Sequence, residues 1–411
     1  MVAASNIRRF TPARIAVVIV CALLIYLSFI SAVAAVTRDA NPDIALRFAP
    51  NDADALGNKA YAMTLAGLSE KNAPQIEEMA KRSYRGNAIS TRPYFALIAA
   101  LEIRKETAAI NKLVAPVTNL SRRDAALQLW YVEHYAARDD LAKVLVHYDN
   151  LLRVHPELNN LLFERLAAGL SDGAIRQALQ PYVAKRVGWV SDLLRYGLTN
   201  GGDPVALSQF VRESGGVTKF NEGEVVGRLL AEALVSAGEV DKARQFYLES
   251  PGASTAVLTT VGLSPAATGN MVPITWEMRS EGETYTTLSE IAGGQQAIIV
   301  QMAAERSSIF AHKLLILPPG KYKLAVKGRP SEPEVAADFV VEPLLYCFKP
   351  SGSRQVLDQL NILVKGAEAG SWIINVTTNC PAQWLQLKAS TGRNQTASPI
   401  VVESPVISRV P

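Results

Sequence analysis

The chain has 411 residues, of which 49% are hydrophobic and 19% are charged, and its formal net charge is +4. This composition excludes a largely disordered chain, and the length is sufficient for about two or three domains. No run of Lys and Arg alternates with aromatic residues, which argues against nucleic acid as a partner.

The first predicted element is a transmembrane helix over residues 15–36. This stretch carries no charge, and as a helix it would cover about 33 Å, enough to cross a hydrocarbon core of about 30 Å. Three arginines precede it: Arg8, Arg9 and Arg14. The two charges that follow, on Arg38 and Asp39, cancel. The positive-inside rule therefore predicts a cytoplasmic segment 1–14, a single crossing, and export of the remaining chain.

A cleaved secretory signal is the alternative interpretation of the same stretch. Ala32, Val33 and Ala34 form an A-x-A-like cleavage site, and the basic start also fits a signal. The apolar stretch is longer than the roughly 7 to 15 residues of a typical signal core, which favours the anchor. Both interpretations export the remaining chain.

Residues 40–250 are predicted to form helices. Ala and Leu dominate, apolar residues recur at helical spacing, and β-branched runs are few. Short polar connections between helices of about 10 to 15 residues indicate antiparallel pairs. An irregular α-helical domain and an array of helical repeats both fit these features.

Two segments of this region resemble tetratricopeptide repeats, although neither carries the whole pattern. In 125–156, large aromatic residues and a terminal proline occupy repeat-like positions: Tyr135, Tyr148 and Pro156. In 223–251, a turn glycine, a small residue at the helix crossing and an aromatic residue do the same: Gly238, Ala243 and Tyr247. Stacked pairs of this kind predict a solenoid that binds proteins along a concave face.

The remaining chain is predicted to be a β-domain. Residues 251–270 are rich in Gly, Ser, Thr, Ala and Pro and are assigned to a linker. Within 271–390, about eight β-prone runs alternate with turn signals, which predicts an antiparallel β-sandwich of jelly-roll type. Residues 391–411 are assigned to a C-terminal tail. The predicted fold class is therefore α + β multidomain, with a transmembrane helix, a helical solenoid and a sandwich.

Two of the three cysteines form a candidate disulfide. Cys21 lies inside the apolar span, which leaves Cys347 and Cys380 in the exported part. A bridge there would close a loop of roughly 30 residues and contribute about 3 kcal/mol in an oxidising compartment. Two unrelated small buried residues are the alternative.

Aromatic residues of the β-domain suggest a platform for sugar rings. Trp276 and Trp372 are the candidates, because polar residues, Glu277 and Ser371, adjoin them. The alternative is that these rings belong to the core, where large aromatic side chains bury the most area.

The sequence contains no pattern of known catalytic chemistry. Motifs for phosphate binding, for zinc peptidases and for the serine nucleophile elbow are absent. His134, His147 and His155 share one helical hairpin, but spacings of 13 and 8 do not place them on one helix face. No catalytic, cofactor-binding or metal-binding residue is therefore predicted.

Nearly the whole chain resembles a family of anchored periplasmic proteins that are encoded among exopolysaccharide synthesis and export genes of alphaproteobacteria. The resemblance rests on the anchor, the tetratricopeptide-like helices and two runs, LPPGKYKL (317–324) and CPAQWLQL (380–387). It implies a single-pass inner-membrane protein with a periplasmic bulk. Its implied partners are envelope proteins of polysaccharide synthesis or export, and a polysaccharide.

The predicted function is that of a scaffold that assists surface polysaccharide assembly or export. Helical repeats would dock proteins, and the sandwich would contact glycan. Two alternatives stay open: a general envelope or cell-division scaffold without glycan binding, and a polysaccharide-modifying enzyme.

Overall fold

The computed structural model comprises two compact units, Met1–Leu158 and Asn159–Pro411. The described residues are 12–118, 120–332, 338–348, 355–359, 362–363, 369–393 and 399–411. Helices form the first unit and the start of the second, and antiparallel sheets follow. The predicted order of helices before strands is confirmed. The chain divides after Leu158, however, and not at the predicted linker.

Helix α1, Pro12–Thr37, is the predicted apolar span. Its segment Arg14–Thr37 is long and apolar enough to cross a membrane, and none of the 18-residue window that meets this test is buried inside the protein. A secretory signal sequence meets the same criteria of length and composition. The helix is confirmed, and its orientation in a membrane stays a prediction.

Among the described residues of the first unit, seven helices follow α1. They are α2 (Pro42–Phe48), α3 (Ala53–Gly67), α4 (Ala73–Gly86), α5 (Arg92–Ile103), α6 (Thr107–Thr118), α7 (Ala125–Ala136) and α8 (Leu141–Val154). Aspartate side chains cap three of them by accepting a backbone N–H three residues on: Asp52, Asp124 and Asp140. Each such cap contributes about 1 kcal/mol, because first-turn N–H groups have no partner within the helix.

The last turns of α1 belong to the core of the first unit. Ala34 is only 2% exposed and packs with Ala45 of α2 and Ala55 of α3. These small side chains allow the three helices to approach closely. The end of the apolar span is therefore part of a folded helical assembly.

Polar contacts fix the turn that follows α1. Asn58 Nδ2 donates to the carbonyl of Arg38 and to Asp39 Oδ1, both at 2.9 Å. The Arg38 guanidinium lies 2.9 Å from Asp54, and that of Arg92 lies 3.2 Å from Asp39. The two charges that cancel after the apolar span are thus tied to α3 and α5.

The second unit begins with helices. They are α9 (Asn159–Gly169), α10 (Gly173–Ala184), α11 (Gly188–Thr199), α12 (Pro204–Glu213), α13 (Gly223–Ser236), α14 (Val240–Leu248) and α15 (Thr255–Thr259). The first six cover the C-terminal part of the predicted solenoid. They share their compact unit with the strands.

The residues chosen for repeat packing occupy the following positions. Four are buried in helices: Tyr135 in α7, Tyr148 in α8, and Ala243 and Tyr247 in α14. Pro156 begins a short 3-10 turn after α8. Gly238, between α13 and α14, has φ = 84°, a conformation that favours glycine.

The segment assigned to a linker, 251–270, is packed against the β-region. It contains α15 and five buried apolar residues: Val257, Leu258, Val261, Leu263 and Ala267. The backbone N–H of Ile316 donates to the Leu258 carbonyl at 2.8 Å. The prediction of a linker is therefore wrong. The segment is rich in small and polar residues, but the apolar residues spaced between them are buried in the fold.

Twelve strands follow in the described part of the second unit. They are β1 (Glu277–Met278), β2 (Thr284–Ile291), β3 (Gln295–Met302), β4 (Ser307–Leu315), β5 (Gly320–Pro330), β6 (Phe339–Cys347), β7 (Gln355–Gln359), β8 (Ile362–Leu363), β9 (Ala369–Val376), β10 (Gln383–Thr391), β11 (Ile400–Glu403) and β12 (Val406–Val410). The first sheet has the order β1-β4-β10-β6-β7, with β8 on β6. The second has the order β12-β5-β11-β3-β2, with β9 on β5. The strand pairs are antiparallel.

The region assigned to a C-terminal tail contributes two strands of the second sheet. Strand β11 pairs with β3 and β5, and β12 pairs with β5. Ile400, Val401 and Val402 are buried. The prediction is wrong because the run of β-branched residues is short and gains its stability only from strands distant in sequence.

A disulfide joins Cys347, at the end of β6, to Cys380, in the turn before β10. The two Cα atoms are 5.4 Å apart, and both residues are buried. The bridge links the ends of two adjacent strands of the first sheet.

Strand β4 carries a lysine in the core. Lys313 is 0% exposed, lies opposite the buried Leu385 of β10, and its Nζ has no hydrogen-bond partner among the described residues. Burial lowers the pKa of this amine to about 7, because the charged form loses its hydration.

Candidate functional site

Strand β10 presents two different faces. Alternate residues are buried: Gln383, Leu385, Leu387, Ala389 and Thr391. The residues between them are half-buried: Trp384, Gln386, Lys388 and Ser390. Side chains alternate across a strand, so the second set lies on the face directed away from the core. We call this the outer face of the first sheet.

Strand β6 adds a second aromatic ring and a carboxylate to the outer face. Tyr346 lies directly opposite Trp384, and both are half-buried. Glu342 lies opposite Lys388, whose ammonium group is 3.1 Å from its carboxylate. Opposed residues of an antiparallel pair have Cβ atoms about 5 Å apart on the same face. The two aromatic residues therefore form one row across the strands, and the ion pair forms another.

On the other side of β10, His312 of β4 lies opposite Gln386. Its ring meets that of Trp384 edge-on, with centroids 5.0 Å apart. Its Nε2 is 2.8 Å from a carboxylate oxygen of Glu277 in β1. Burial lowers the pKa of His312 more than the Glu277 carboxylate raises it. The imidazole is therefore neutral at neutral pH and donates Nε2–H to Glu277.

We call Trp384 and Tyr346 the aromatic row. Gln386 and His312 form the middle row, between the aromatic row and the Glu342–Lys388 ion pair, and this middle row has unused hydrogen-bonding capacity. His312 Nδ1 and Gln386 Oε1 have no partner among the described residues. With Nε2 protonated, Nδ1 is an acceptor, and the amide oxygen is an acceptor as well. Both atoms are buried, so neither acceptor is open to a ligand in this structure.

A cavity of about 720 Å³ adjoins the outer face at its Lys388 end. Ser307 and Ile309 of β4 and the loop 281–284 also line it. Arg306, in its wall, lies 2.7 Å from Glu283. The aromatic row, the middle row and this cavity follow one another along the strands.

The two tryptophans chosen from the sequence do not lie on this face. Trp276 is 3% exposed, and its Nε1 donates to the Val261 carbonyl at 3.1 Å. It is a core residue and is unsuitable as a sugar platform. Polar neighbours in sequence are a poor guide here, because adjacent residues point in different directions.

Trp372 lies on the inner side of β9. It is half-buried and directly opposite Leu324 of β5, which is buried. Its neighbours Ser371 and Ile373 are exposed on the other side of the strand. Its partial burial does not test a platform role, and the assignment of Trp372 stays a prediction.

Sequence reasoning missed Trp384 and Tyr346 as a pair. The signal for Trp384 is present in the run QWLQLKAS, where aromatic, polar and basic residues alternate with Leu and Ala. The partner on β6 requires the register between two strands about 40 residues apart, which no local pattern supplies.

The histidines of the helical hairpin lie in different surroundings. His147 is buried and stacks on Tyr131, with centroids 4.5 Å apart, whereas His155 Nδ1 is 2.8 Å from Glu157. In the described part of the chain, no group of three or more His, Cys, Asp or Glu residues is arranged to hold a metal ion.

Comparisons with known proteins give only distant similarities. No family model and no curated protein matches the chain. Among solved structures, the CBM22-2 xylan-binding domain from Paenibacillus barcinonensis Xyn10C matches with 15% identity and a TM-score of 0.25, over 37% of this chain and 99% of that domain. A CBM4 structure matches with 11% identity and a TM-score of 0.24, over 33% and 86%. The CBM22-1–GH10 modules of xylanase 10B from Clostridium thermocellum match with 12% identity and a TM-score of 0.25 over 33% of this chain, and the match spans only 26% of that chain. Scores this low assign neither fold nor function.

Proposed function

We propose that the second unit binds glycan through the outer face of the first sheet. The observation that carries this proposal is the pair Trp384 and Tyr346, opposed on adjacent strands next to the polar middle row. Aromatic rings offer large apolar faces with small entropy costs, and a few placed polar groups give orientation. A sugar ring has one apolar C–H face and a rim of hydroxyl groups, and it therefore matches both features.

The polar groups suit binding. Lys388 and Ser390 are half-buried on the outer face and would donate hydrogen bonds to hydroxyl groups of a sugar that lies along it. The carboxylates of Glu277 and Glu342 are each engaged with a neighbour, His312 and Lys388. Carboxylates held in this way favour a binding site over proton transfer, and a non-catalytic role is proposed.

The cellular role follows from the anchor and from the family resemblance. We propose a single-pass inner-membrane protein with its bulk in the periplasm that assists surface polysaccharide assembly or export. The helices of 40–250 would form a tetratricopeptide-like solenoid that docks envelope proteins, and the two sheets would pack as a jelly-roll sandwich. Buried Ala243 and Tyr247 at a helix pair support the repeat, and the alternating burial of β10 supports the sandwich.

Retardation of the full chain in gels containing neutral polysaccharides tests the proposal. Substitution Trp384→Ala removes the larger ring of the aromatic row and should weaken binding by about tenfold or more, as for a central aromatic contact. Tyr285→Ala is the matched control, because this ring is 62% exposed on β2 of the other sheet. Equal binding by the Trp384→Ala variant and the wild type would refute the site. No retardation by any polysaccharide would favour a general envelope scaffold.

A further inference from the structure

Strand β5 carries a row of basic residues on one face. Its sequence GKYKLAVKGRP places four basic side chains at alternating positions: Lys321, Lys323, Lys327 and Arg329. The first two are exposed and the last two are half-buried, whereas Tyr322, Leu324 and Val326 between them are buried. We call these four residues the basic row. From Lys321 to Arg329 it extends over about 27 Å.

Protection of a sheet edge does not explain the basic row. Lysines are common on edge strands, where they prevent pairing with other chains. Strand β5, however, is paired with β9 on one side and with β12 and β11 on the other. The row therefore lies within a sheet and is bordered by strands on both sides.

The row has an excess of positive charge. Glu403 is shared by Lys327, at 2.9 Å, and Arg329, at 3.5 Å. Among the described residues, no carboxylate forms an ion pair with Lys321 or Lys323. The sequences of β9 and β12 contain no acidic residue, so neither strand supplies a counter-charge.

Uncharged residues border the exposed end of the row. Lys323 lies between Ile373 of β9 and Ser408 of β12, and Lys321 lies between Asn375 and Val410. The positive charge is thus confined to a line one residue wide. A cavity of about 620 Å³ at the Lys321 end has Arg409 in its wall, which adds a further cation there.

We propose that the basic row binds an extended acidic polysaccharide along β5. A linear polymer with repeated carboxylates matches a line of cations, whereas a lipid surface is planar and would match a broad patch. Single-stranded nucleic acid is bound by aromatic stacking as well as by charge, and the aromatic ring of β5, Tyr322, is buried. Exposed Ile373 and Val406 offer apolar contacts beside the charges.

The basic row is separate from the outer face of the first sheet, so an experiment can refute one of the two proposed binding sites without refuting the other. The basic row predicts binding that depends on charge and salt and survives Trp384→Ala. The aromatic row predicts binding of neutral glycan that survives loss of the lysines. If both are correct, the first sheet binds neutral glycan and the second sheet binds acidic polysaccharide.

The test compares full-length protein in detergent for binding to polygalacturonate and to neutral dextran. The variant Lys321→Gln/Lys323→Gln should bind polygalacturonate about tenfold more weakly, with a smaller dependence on salt. The control Lys71→Gln/Lys112→Gln makes the same charge change at exposed sites of the first unit and should bind like the wild type. Thermal unfolding checks that both variants are folded.

Three results would overturn the proposal. One is unchanged polygalacturonate binding by the Lys321→Gln/Lys323→Gln variant. Another is an equal loss in the control variant, which would indicate an effect of net charge alone. The third is binding only to phosphatidylglycerol vesicles or to an oligothymidylate, which would assign the row to a membrane or to nucleic acid.

Discussion

The ring of His312 on β4 meets the ring of Trp384 on β10 edge-on, with centroids 5.0 Å apart. A titratable group thus touches the larger ring of the proposed glycan site. Burial keeps the pKa of His312 below its usual range. The imidazole is therefore neutral at pH values above about 6.5 and gains its proton only at lower pH.

Glycan binding should depend on this proton. We expect constant affinity between about pH 7 and 8. Binding should weaken only at pH values below the ordinary pKa of an imidazole, because burial lowers the pKa of His312 and its protonation places a positive charge against the Trp384 ring. The variant His312→Gln should lack this decrease. Isothermal titration at several pH values measures it, and an identical pH profile in both proteins would contradict the prediction.

The buried Lys313 should destabilise the second unit at neutral pH. The unfolded chain holds this proton up to a pKa near 10.5, whereas the folded chain releases it near 7. The unfolded state therefore binds more protons between these values, and the free energy of unfolding rises with pH across this window. The penalty is fully present below about pH 7, where it is on the order of 5 kcal/mol.

Lys313→Met should therefore raise the free energy of unfolding, by more at pH 7 than at pH 9. Denaturant unfolding of full-length protein gives both values. Lys242→Met, at a lysine of α14 whose side chain is 45% exposed, is the control and should change stability little at either pH. A variant that is less stable than the wild type at pH 7 would show that the amine has a partner.

The Cys347–Cys380 disulfide should contribute about 3 kcal/mol, because it closes a loop of 33 residues in the unfolded chain. The double variant Cys347→Ala/Cys380→Ala should unfold at lower denaturant concentration. The variant Cys21→Ala, in the apolar span, is the control and should unfold like the wild type. A gel with and without reductant tests the bridge directly. Free thiols at both positions in protein isolated from the cell envelope would refute it.

Gly238 should resist substitution because its φ is 84°. Gly238→Ala should cost about 1 kcal/mol, since a Cβ disfavours this region of φ. Gly188→Ala is the matched control: Gly188 begins α11, has no positive φ, and a Cβ there would meet nothing within 4 Å. Equal effects at the two sites in denaturant unfolding would contradict a special turn at Gly238.

Ala34 should remain in the mature protein. Cleavage after this residue, as in the signal interpretation, would remove a side chain that packs with Ala45 and Ala55. Intact-mass measurement of the protein from membranes should therefore include residues 1–34. An N-terminus at Ala35 would establish the secreted form.

Features that are determined by residues close together in the sequence could be predicted from sequence patterns. An uncharged run of sufficient length predicted α1, and apolar residues at helical spacing predicted the helices that follow it. The disulfide followed from the number and position of the cysteines. Each of these depends on residues that are close in sequence or on simple elimination.

Features that depend on strand register were not predictable from the sequence. Trp276 has a polar neighbour in sequence, yet its ring is buried in the core. Trp384 gains its role from Tyr346 and His312, which belong to other strands. The strands β11 and β12 resembled a tail because their stability comes from β3 and β5, which lie about 70 to 105 residues earlier.

The contacts of Ala34, Arg38 and Asp39 leave no flexible linker between the apolar span and the helices that follow it in the first unit. In a bilayer, a helix that continues directly into a packed domain fixes the height and tilt of that domain above the lipid surface. Partners docked on the first unit would then be presented at a constant distance from the membrane. An insertion of flexible residues after Thr37 would alter that distance while leaving every binding surface intact.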